Sequence, residues 1–327
     1  MTKIYYDKDA DLSYLKDKVV TFVGYGNQGR AQALNMRDSG IENIIVGNID
    51  DEYNQKPIAD GFETYDIATA CKKGDIMFIL IPDEVAPEVY KKDIEPNLEA
   101  GNVLNFASGY NITYKFIEPP KDVDVIMVAP RMIGQGVREL YKEGFPTFVA
   151  VEQNASGKAK EIALAIAKAI GSTKKGAIET TFNDETYLDL IAEQATWPLI
   201  LSVLTEVYKF EVEMGHPEEA VLMELYVSKE PAIMLEKMAD IGIFRQLPLH
   251  SHTSQYGQLT RFETVDKGYI REFIKKQYEN IKSGRFAREW KLEQDSGLPV
   301  FKKALDEAFN CELSKAEIRL KKNLNLE

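Results

Sequence analysis

The sequence predicts an α/β domain built on a parallel sheet, followed by an all-helical domain. Three observations predict it. Short β-branched and apolar runs alternate with helical stretches through the first half, which implies βαβ units. Several of those runs are apolar throughout, as strands covered on both faces are. After about Thr181 the strand signal stops and apolar residues recur at helical spacing. The 327 residues suit two domains, placed at 1–182 and 183–327.

The elements follow in order. Val19–Val23 reads as the first strand and Ile44–Val46 as the second. Ile76–Ile81 is the third, ended by Pro82, and Val103–Ala107 the fourth. Val123–Ala129, ended by Pro130, and Phe148–Val151 complete the set. Beyond them, helices are expected over Asn183–Met214, Glu218–Gly242, Lys267–Ser283 and Ser314–Leu324.

Composition limits the partners. With 40 Lys+Arg against 52 Asp+Glu, the net charge is −12. That argues against nucleic acid, whose phosphates need clustered Lys and Arg. No apolar run approaches the ~18 residues of a membrane span, and the N-terminus has no signal-like apolar region. Cys71 and Cys311 are far apart and form no metal or redox motif, so both read as packing residues. A soluble, cytoplasmic protein with a small-molecule substrate is expected.

Gly24-Tyr25-Gly26-Asn27-Gln28-Gly29 stands between the first strand and a helix beginning near Arg30. The first glycine permits the tight turn and the second a close approach of pyrophosphate. The third lets helix and strand pack closely. Backbone N–H groups and the helix dipole attract the phosphates, a local device that admits an anion to an acidic protein. The context is that of a Rossmann-like dinucleotide site. The second strand leads into Gly47-Asn48-Ile49-Asp50-Asp51-Glu52, where an acid would hold a ribose 2′-hydroxyl. Asp50 and Asp51 are the candidates, and the first cation after them is Lys56. A 2′-phosphate would meet negative charge, which favours NADH over NADPH, although Lys56 or Arg30 could fold toward a phosphate.

Glu185, Asp189 and Glu193 follow one another at spacings of four and lie on one helix face. Like charges at that spacing repel, and no Lys or Arg occurs from Asp184 to Leu204. A solvated acidic face accounts for Asp184 and Glu185, but poorly for Asp189 and Glu193 beside apolar sequence. A hard divalent cation such as Mg²⁺ suits those oxygens. Glu224, in Glu224-Leu225-Tyr226-Val227-Ser228-Lys229-Glu230, is a further candidate, though that stretch alone reads as an exposed helical turn. His250–Gly257 holds two of the three histidines; nothing completes a zinc set, and it reads as a polar loop lining a site.

These residues resemble ketol-acid reductoisomerase in its short form, over nearly the whole chain. The resemblance rests on Lys3–Leu12, Gly24–Gly29 with Ala33-Leu34-Asn35, Pro82–Val85 with Pro87–Tyr90, and Pro119–Pro130. It continues through Glu179–Phe182, Asp189 with Glu193-Gln194, Ser251, Tyr256-Gly257 and Phe286–Trp290. It implies a knotted helical domain, a homodimer or larger homo-oligomer with shared active sites, and two Mg²⁺ ions. It implies alkyl migration in a 2-acetolactate-type acid and reduction by NAD(P)H, within isoleucine and valine biosynthesis. Residue by residue, it makes Asp189 and Glu193 metal ligands and Ser251 a substrate contact from the other chain. With Asp50 and Asp51, the residues expected around the cofactor are Gly24–Gly29, Asn48, Pro82, Asp83 and Gly109.

Four departures stand out. A family histidine is Ser108 here, in Ala107-Ser108-Gly109. The family lysine after Ala-Pro is Arg131, which keeps the charge but cannot act as a proton-transfer base. The second pair of metal glutamates, four apart, becomes Glu224 with Ser228, and Glu230 lies two further on. The Arg and Ser that hold the NADPH phosphate are also missing after Val46. Two alternatives therefore stand beside the isomeroreductase reading. One is a relative that only reduces a 2-keto acid. The other is a catalytically silent dinucleotide-binding paralogue.

Overall fold

The computed structural model describes residues 2–49 and 55–325, and it divides into two compact units, Met1–Asp189 and Leu190–Glu327. Asp50 and Asp51 lie outside the described residues.

The first unit is built on strands β1 (Ile4–Tyr5), β2 (Val20–Val23), β3 (Ile44–Gly47), β4 (Glu63–Tyr65) and β5 (Ile76–Ile79). The set is completed by β6 (Val103–Phe106), β7 (Asp124–Pro130), β8 (Thr147–Gln153) and β9 (Ala177–Glu179). They form one sheet in the order β1-β9-β8-β7-β6-β5-β2-β3-β4. From β4 to β7 every pairing is parallel. Its order is that of a doubly wound sheet, which reverses between β2 and β5. Two pairings depart from the parallel sheet expected from sequence: β7 pairs antiparallel with β8, and β1 antiparallel with β9. β1, β4 and β9 went unforeseen because two or three residues carry no readable periodicity.

Helices α1 (Asn27–Asp38), α2 (Gln55–Ala59), α3 (Ile67–Lys73), α4 (Ala86–Val89), α5 (Tyr110–Thr113), α6 (Gly134–Glu139) and α7 (Ala159–Ala169) connect the strands. The strand interiors are apolar on both sides because both faces are covered. Phe22, Val46, Phe78, Ile126 and Val128 face one core with α1 and α7. Val23, Met77, Leu104, Phe106 and Met127 face the other, with α3 and α4. Phe22 and Phe78 stack at 4.4 Å between centroids across adjacent strands.

Helix α8 (Phe182–Ile191) runs past Asp189, where the first unit ends. The second unit is helical: α9 (Trp197–Glu213), α10 (Glu218–Leu222), α11 (Glu230–Ile241), α12 (His252–Phe262), α13 (Lys267–Lys282), α14 (Arg285–Asp295), α15 (Pro299–Phe309) and α16 (Glu312–Asn323). The helix expected over 218–242 is interrupted. Lys229 adopts φ +65°, so α11 starts afresh at Glu230. The polar loop expected over 250–257 is corrected: from His252 it is the start of α12. Ser251 supplies the N-cap by accepting the Ser254 N–H at 3.3 Å.

The second unit has a small core of Tyr208, Val221, Leu222, Ala316 and Leu320. Its helices leave large apolar side chains in solvent in this single chain, among them Phe210, Tyr256 and Tyr269. Among the described residues no helix is long and apolar enough to cross a membrane.

The cysteines differ in kind. Cys71 is buried, and burial pushes its thiol up to about 12. Cys311 is exposed, not a packing residue, and hydrogen bonding with Ser314 holds its thiol below the usual value. A thiol reagent at about pH 8 should therefore label Cys311 in the native protein and reach Cys71 only after denaturation. Rapid native labelling of Cys71 would contradict this packing.

Candidate functional site

In an open α/β sheet, ligands bind beyond the strand C-termini where the strand order reverses. Here that crevice lies between β2 and β5. Gly24 leaves β2 with φ +93°, and a Cβ there would meet Ile81 Cγ2 at 2.7 Å and Leu80 O at 2.8 Å. The turn into α1 therefore packs directly on the segment after β5. Gly26 is the N-cap of α1, and its carbonyl accepts the Arg30 N–H at 2.9 Å. Gln28 Nε2 donates to Met132 O at 2.8 Å, tying the glycine loop to the segment after β7.

Two openings flank this loop. One, of about 310 Å³, runs along α1 past Gly26, Asn27, Arg30, Lys56, Gln135 and Arg138. The other, of about 260 Å³, lies over the ends of β5 and β6 and is lined by Gln28, Pro82, Asp83, Ser108 and Asn111. The structure thus brings Gln28, Pro82, Asp83 and Ser108 to one cavity. Asn111 was not anticipated: its Nδ2 donates to Asp83 Oδ1 at 3.1 Å and to Asp83 O at 3.2 Å. A larger cleft of about 560 Å³ lies at the opposite strand ends, beside Val19, Ile44 and Glu63, away from the glycine loop.

Asp60 organises the far side of the loop. Its carboxylate accepts Arg30 Nε at 2.7 Å and Arg30 Nη2 at 3.0 Å, a two-pronged pair. It also accepts the Tyr25 hydroxyl at 3.0 Å. Arg30 hydrogen bonding holds the Asp60 carboxyl below its usual range. Tyr25, buried at 3 % exposure, directs its hydroxyl to Asp60 and its ring to Phe62. Asn48 sits at the end of β3, its N–H donating to Tyr65 O at 3.1 Å.

The carboxylate stripe has an unforeseen partner. Glu185 was expected on a solvated face, yet it is 1 % exposed. Its Oε2 accepts the Gly109 N–H at 2.7 Å and its Oε1 accepts Arg131 Nη1 at 2.8 Å. Arg131 Nη2 donates to Asp189 Oδ1. Burial pushes the Glu185 carboxyl up, and its neighbours only partly offset this. Burial pulls the Arg131 guanidinium down, but Asp189 and Glu185 outweigh it and leave it above its ordinary value. The guanidinium also lies over the Phe148 ring, 5.1 Å from its centroid. A window along the stripe shows no cation, because this one comes from the end of β7. Gly109 is filled from behind as well: a Cβ would meet Phe182 O at 2.5 Å, so α8 packs directly on that loop.

In the second unit, Glu193 lies on a π-helical turn over Ala192–Thr196, and Glu224 on another over Met223–Val227. Such turns hold an extra residue and are frequent at functional sites. Glu224 and Glu230 are both exposed and are separated by the break at Lys229. Among the described residues, no group of three or more His, Cys, Asp or Glu side chains is close enough to hold a metal ion. Ser251 is exposed at the start of α12. His250 Nε2 hydrogen-bonds Gln246 Oε1 at 3.0 Å.

Two family models match the chain, one after the other. Residues 14–176 match a family model described as acetohydroxy acid isomeroreductase, NADPH-binding domain. Residues 182–325 match one described as ketol-acid reductoisomerase, C-terminal domain. The ketol-acid reductoisomerase (NADP(+)) of Methanopyrus kandleri is 45% identical, with 100% of each chain covered. That of Pyrococcus abyssi is 43% identical, covering 100% of this chain and 99% of its own. Among solved structures, an NADH-preferring ketol-acid reductoisomerase from an uncultured archean is 37% identical. Its TM-score is 0.92, with 98% of each chain covered.

Proposed function

Because this chain belongs to the ketol-acid reductoisomerase family, we propose that it performs that family's reaction on a 2-acetolactate-type acid. The carbon skeleton rearranges by alkyl migration. The keto group then receives a hydride and a proton to give a 2,3-dihydroxy acid. We place this step in branched-chain amino-acid biosynthesis. The observation that carries the reading is the cavity uniting Gln28, Pro82, Asp83 and Ser108 beside the glycine loop.

The loop N–H groups and the start of α1 bind the cofactor pyrophosphate. Ser108 offers a hydroxyl that can donate to or accept from a substrate oxygen in the cavity. Arg131 contributes fixed positive charge and stays protonated throughout, so proton transfer falls to other groups. Asp189, half-exposed, and Glu193, exposed, offer the hard oxygen donors that suit a divalent cation. Glu185 does not fit that task, being buried and committed to Gly109 and Arg131. Bound Mg²⁺ would polarise the substrate keto and hydroxyl oxygens and bound NAD(P)H would supply the hydride. We propose Ser251 as a contribution from a second copy, with Glu224 or Glu230 completing the metal site. The exposed apolar side chains of the helical unit support such an assembly.

Arg131 on Asp189 favours a second reading, in which only reduction of a 2-keto acid survives. The test is cofactor oxidation with Mg²⁺ and either 2-acetolactate or the already-migrated 3-hydroxy-2-keto acid. Turnover of both supports isomeroreductase activity. Turnover of the second alone refutes it in favour of a reductase.

We further propose NADH as the preferred cofactor. Arg30, a cation at the loop that could reach a 2′-phosphate, is held by Asp60. The expected result is a lower KM for NADH than for NADPH. Asp60→Asn, which loosens Arg30, should shift the KM ratio toward NADPH by about fivefold, the size of one exposed ion pair. An unchanged ratio would discard the role of Asp60.

A further inference from the structure

Two carboxylates of the proposed cation site's helix are held by a single guanidinium. Arg131 Nη1 donates to Glu185 Oε1 at 2.8 Å and Nη2 donates to Asp189 Oδ1. Its position is set on every side. The backbone N–H of Arg131 donates to Pro146 O at 3.0 Å. The guanidinium lies over Phe148. Glu185 is itself fixed by the Gly109 N–H. This is a planar fork spanning two acceptors, a geometry that one lysine ammonium does not reproduce.

The consequence concerns charge at Asp189. A carboxylate attracts a divalent cation through charge that the guanidinium already offsets. Two cations on one carboxylate also repel each other, strongly at the reduced dielectric beside a buried group. Arg131 has little freedom to withdraw, because leaving would strand Glu185 as an unpaired buried charge.

We infer that Arg131 is a tethered competitor for the divalent cation at Asp189, so that this chain's metal affinity is set by its own guanidinium. The inference rests on the proposed reading of Asp189 as a metal ligand. It also defines what Arg131 is for: a built-in cation that keeps α8 docked and its carboxylates partly neutral without metal.

The experiment is titration of the full-length protein with Mn²⁺, followed by the electron paramagnetic resonance signal of the free ion. Arg131→Met should bind Mn²⁺ about tenfold more tightly than the unmodified chain, since one repelling charge has gone. Arg131→Lys, which cannot hold both carboxylates, should gain about threefold and carries the test if the methionine variant does not fold. Equal affinity in the parent and both Arg131 variants would overturn the inference. Asp189→Asn separates this from the reading beneath it. If that substitution leaves Mn²⁺ binding unchanged, Asp189 is no ligand and both fall. If it abolishes binding while the Arg131 variants gain nothing, only the competition falls.

Discussion

Replacing Gly29 with alanine is expected to weaken dinucleotide binding sharply and to destabilise the first unit. A Cβ at Gly29 would stand 2.3 Å from Gly24 O and 3.2 Å from Gly24 C. Neither atom belongs to a flexible side chain. Gly24 has no room to retreat, because it already occupies φ +93° against Leu80 O and Ile81. Helix α1 must therefore lift from β2, which disperses the N–H groups that would face a bound pyrophosphate. Overpacking of this kind costs about 1–3 kcal/mol of stability. Binding should fall by about a hundredfold, corresponding to nearly 3 kcal/mol. Gly26 provides the contrast. Among the described residues a Cβ there would meet nothing within 4 Å, and its backbone is extended. Gly26→Ala should thus leave thermal stability unchanged while crowding the bound pyrophosphate. Fluorescence titration with NADH and thermal melts of both variants check the pair. Equal stability of Gly29→Ala and the parent would show that α1 does not pack as described.

The second large effect is expected at Arg131. Replacing it with methionine strands Glu185, which is 1 % exposed, without its cation. Removing one partner of a buried pair is strongly destabilising. The guanidinium side is 30% exposed, so about 3 kcal/mol is expected, the lower end of the range. The double variant Arg131→Met with Glu185→Met should recover most of that loss, because two apolar side chains leave no stranded charge. Urea unfolding of the two single variants and the double variant gives the coupling directly. Additive effects would show that the Arg131–Glu185 pair contributes nothing to holding α8.

Much of the first unit was legible in the chain. Strands β2, β3, β5, β6, β7 and β8 were all anticipated to within a few residues, because burial on both faces leaves an unbroken apolar run. The glycine loop was legible for a different reason. Its conformation is local, and only glycine satisfies both the left-handed turn at Gly24 and the contact at Gly29. The misses have physical causes too. Three short strands are held by neighbours rather than by their own residues. His250–Gly257 looks like a polar loop because its side chains are mostly polar, while the local cap at Ser251 starts a helix at His252.

The carboxylate stripe shows where each kind of information ends. By itself the sequence determined that Glu185, Asp189 and Glu193 recur along one helix, since spacing is a property of the chain. It determined too that no cation lies nearby along that helix. Only the tertiary structure decided which carboxylate is buried and what offsets it. The cation arrives from 54 and 58 residues away, at the end of β7. No periodicity encodes such a partner. Charge compensation depends on which strand ends opposite the helix, and the order of the sheet decides that.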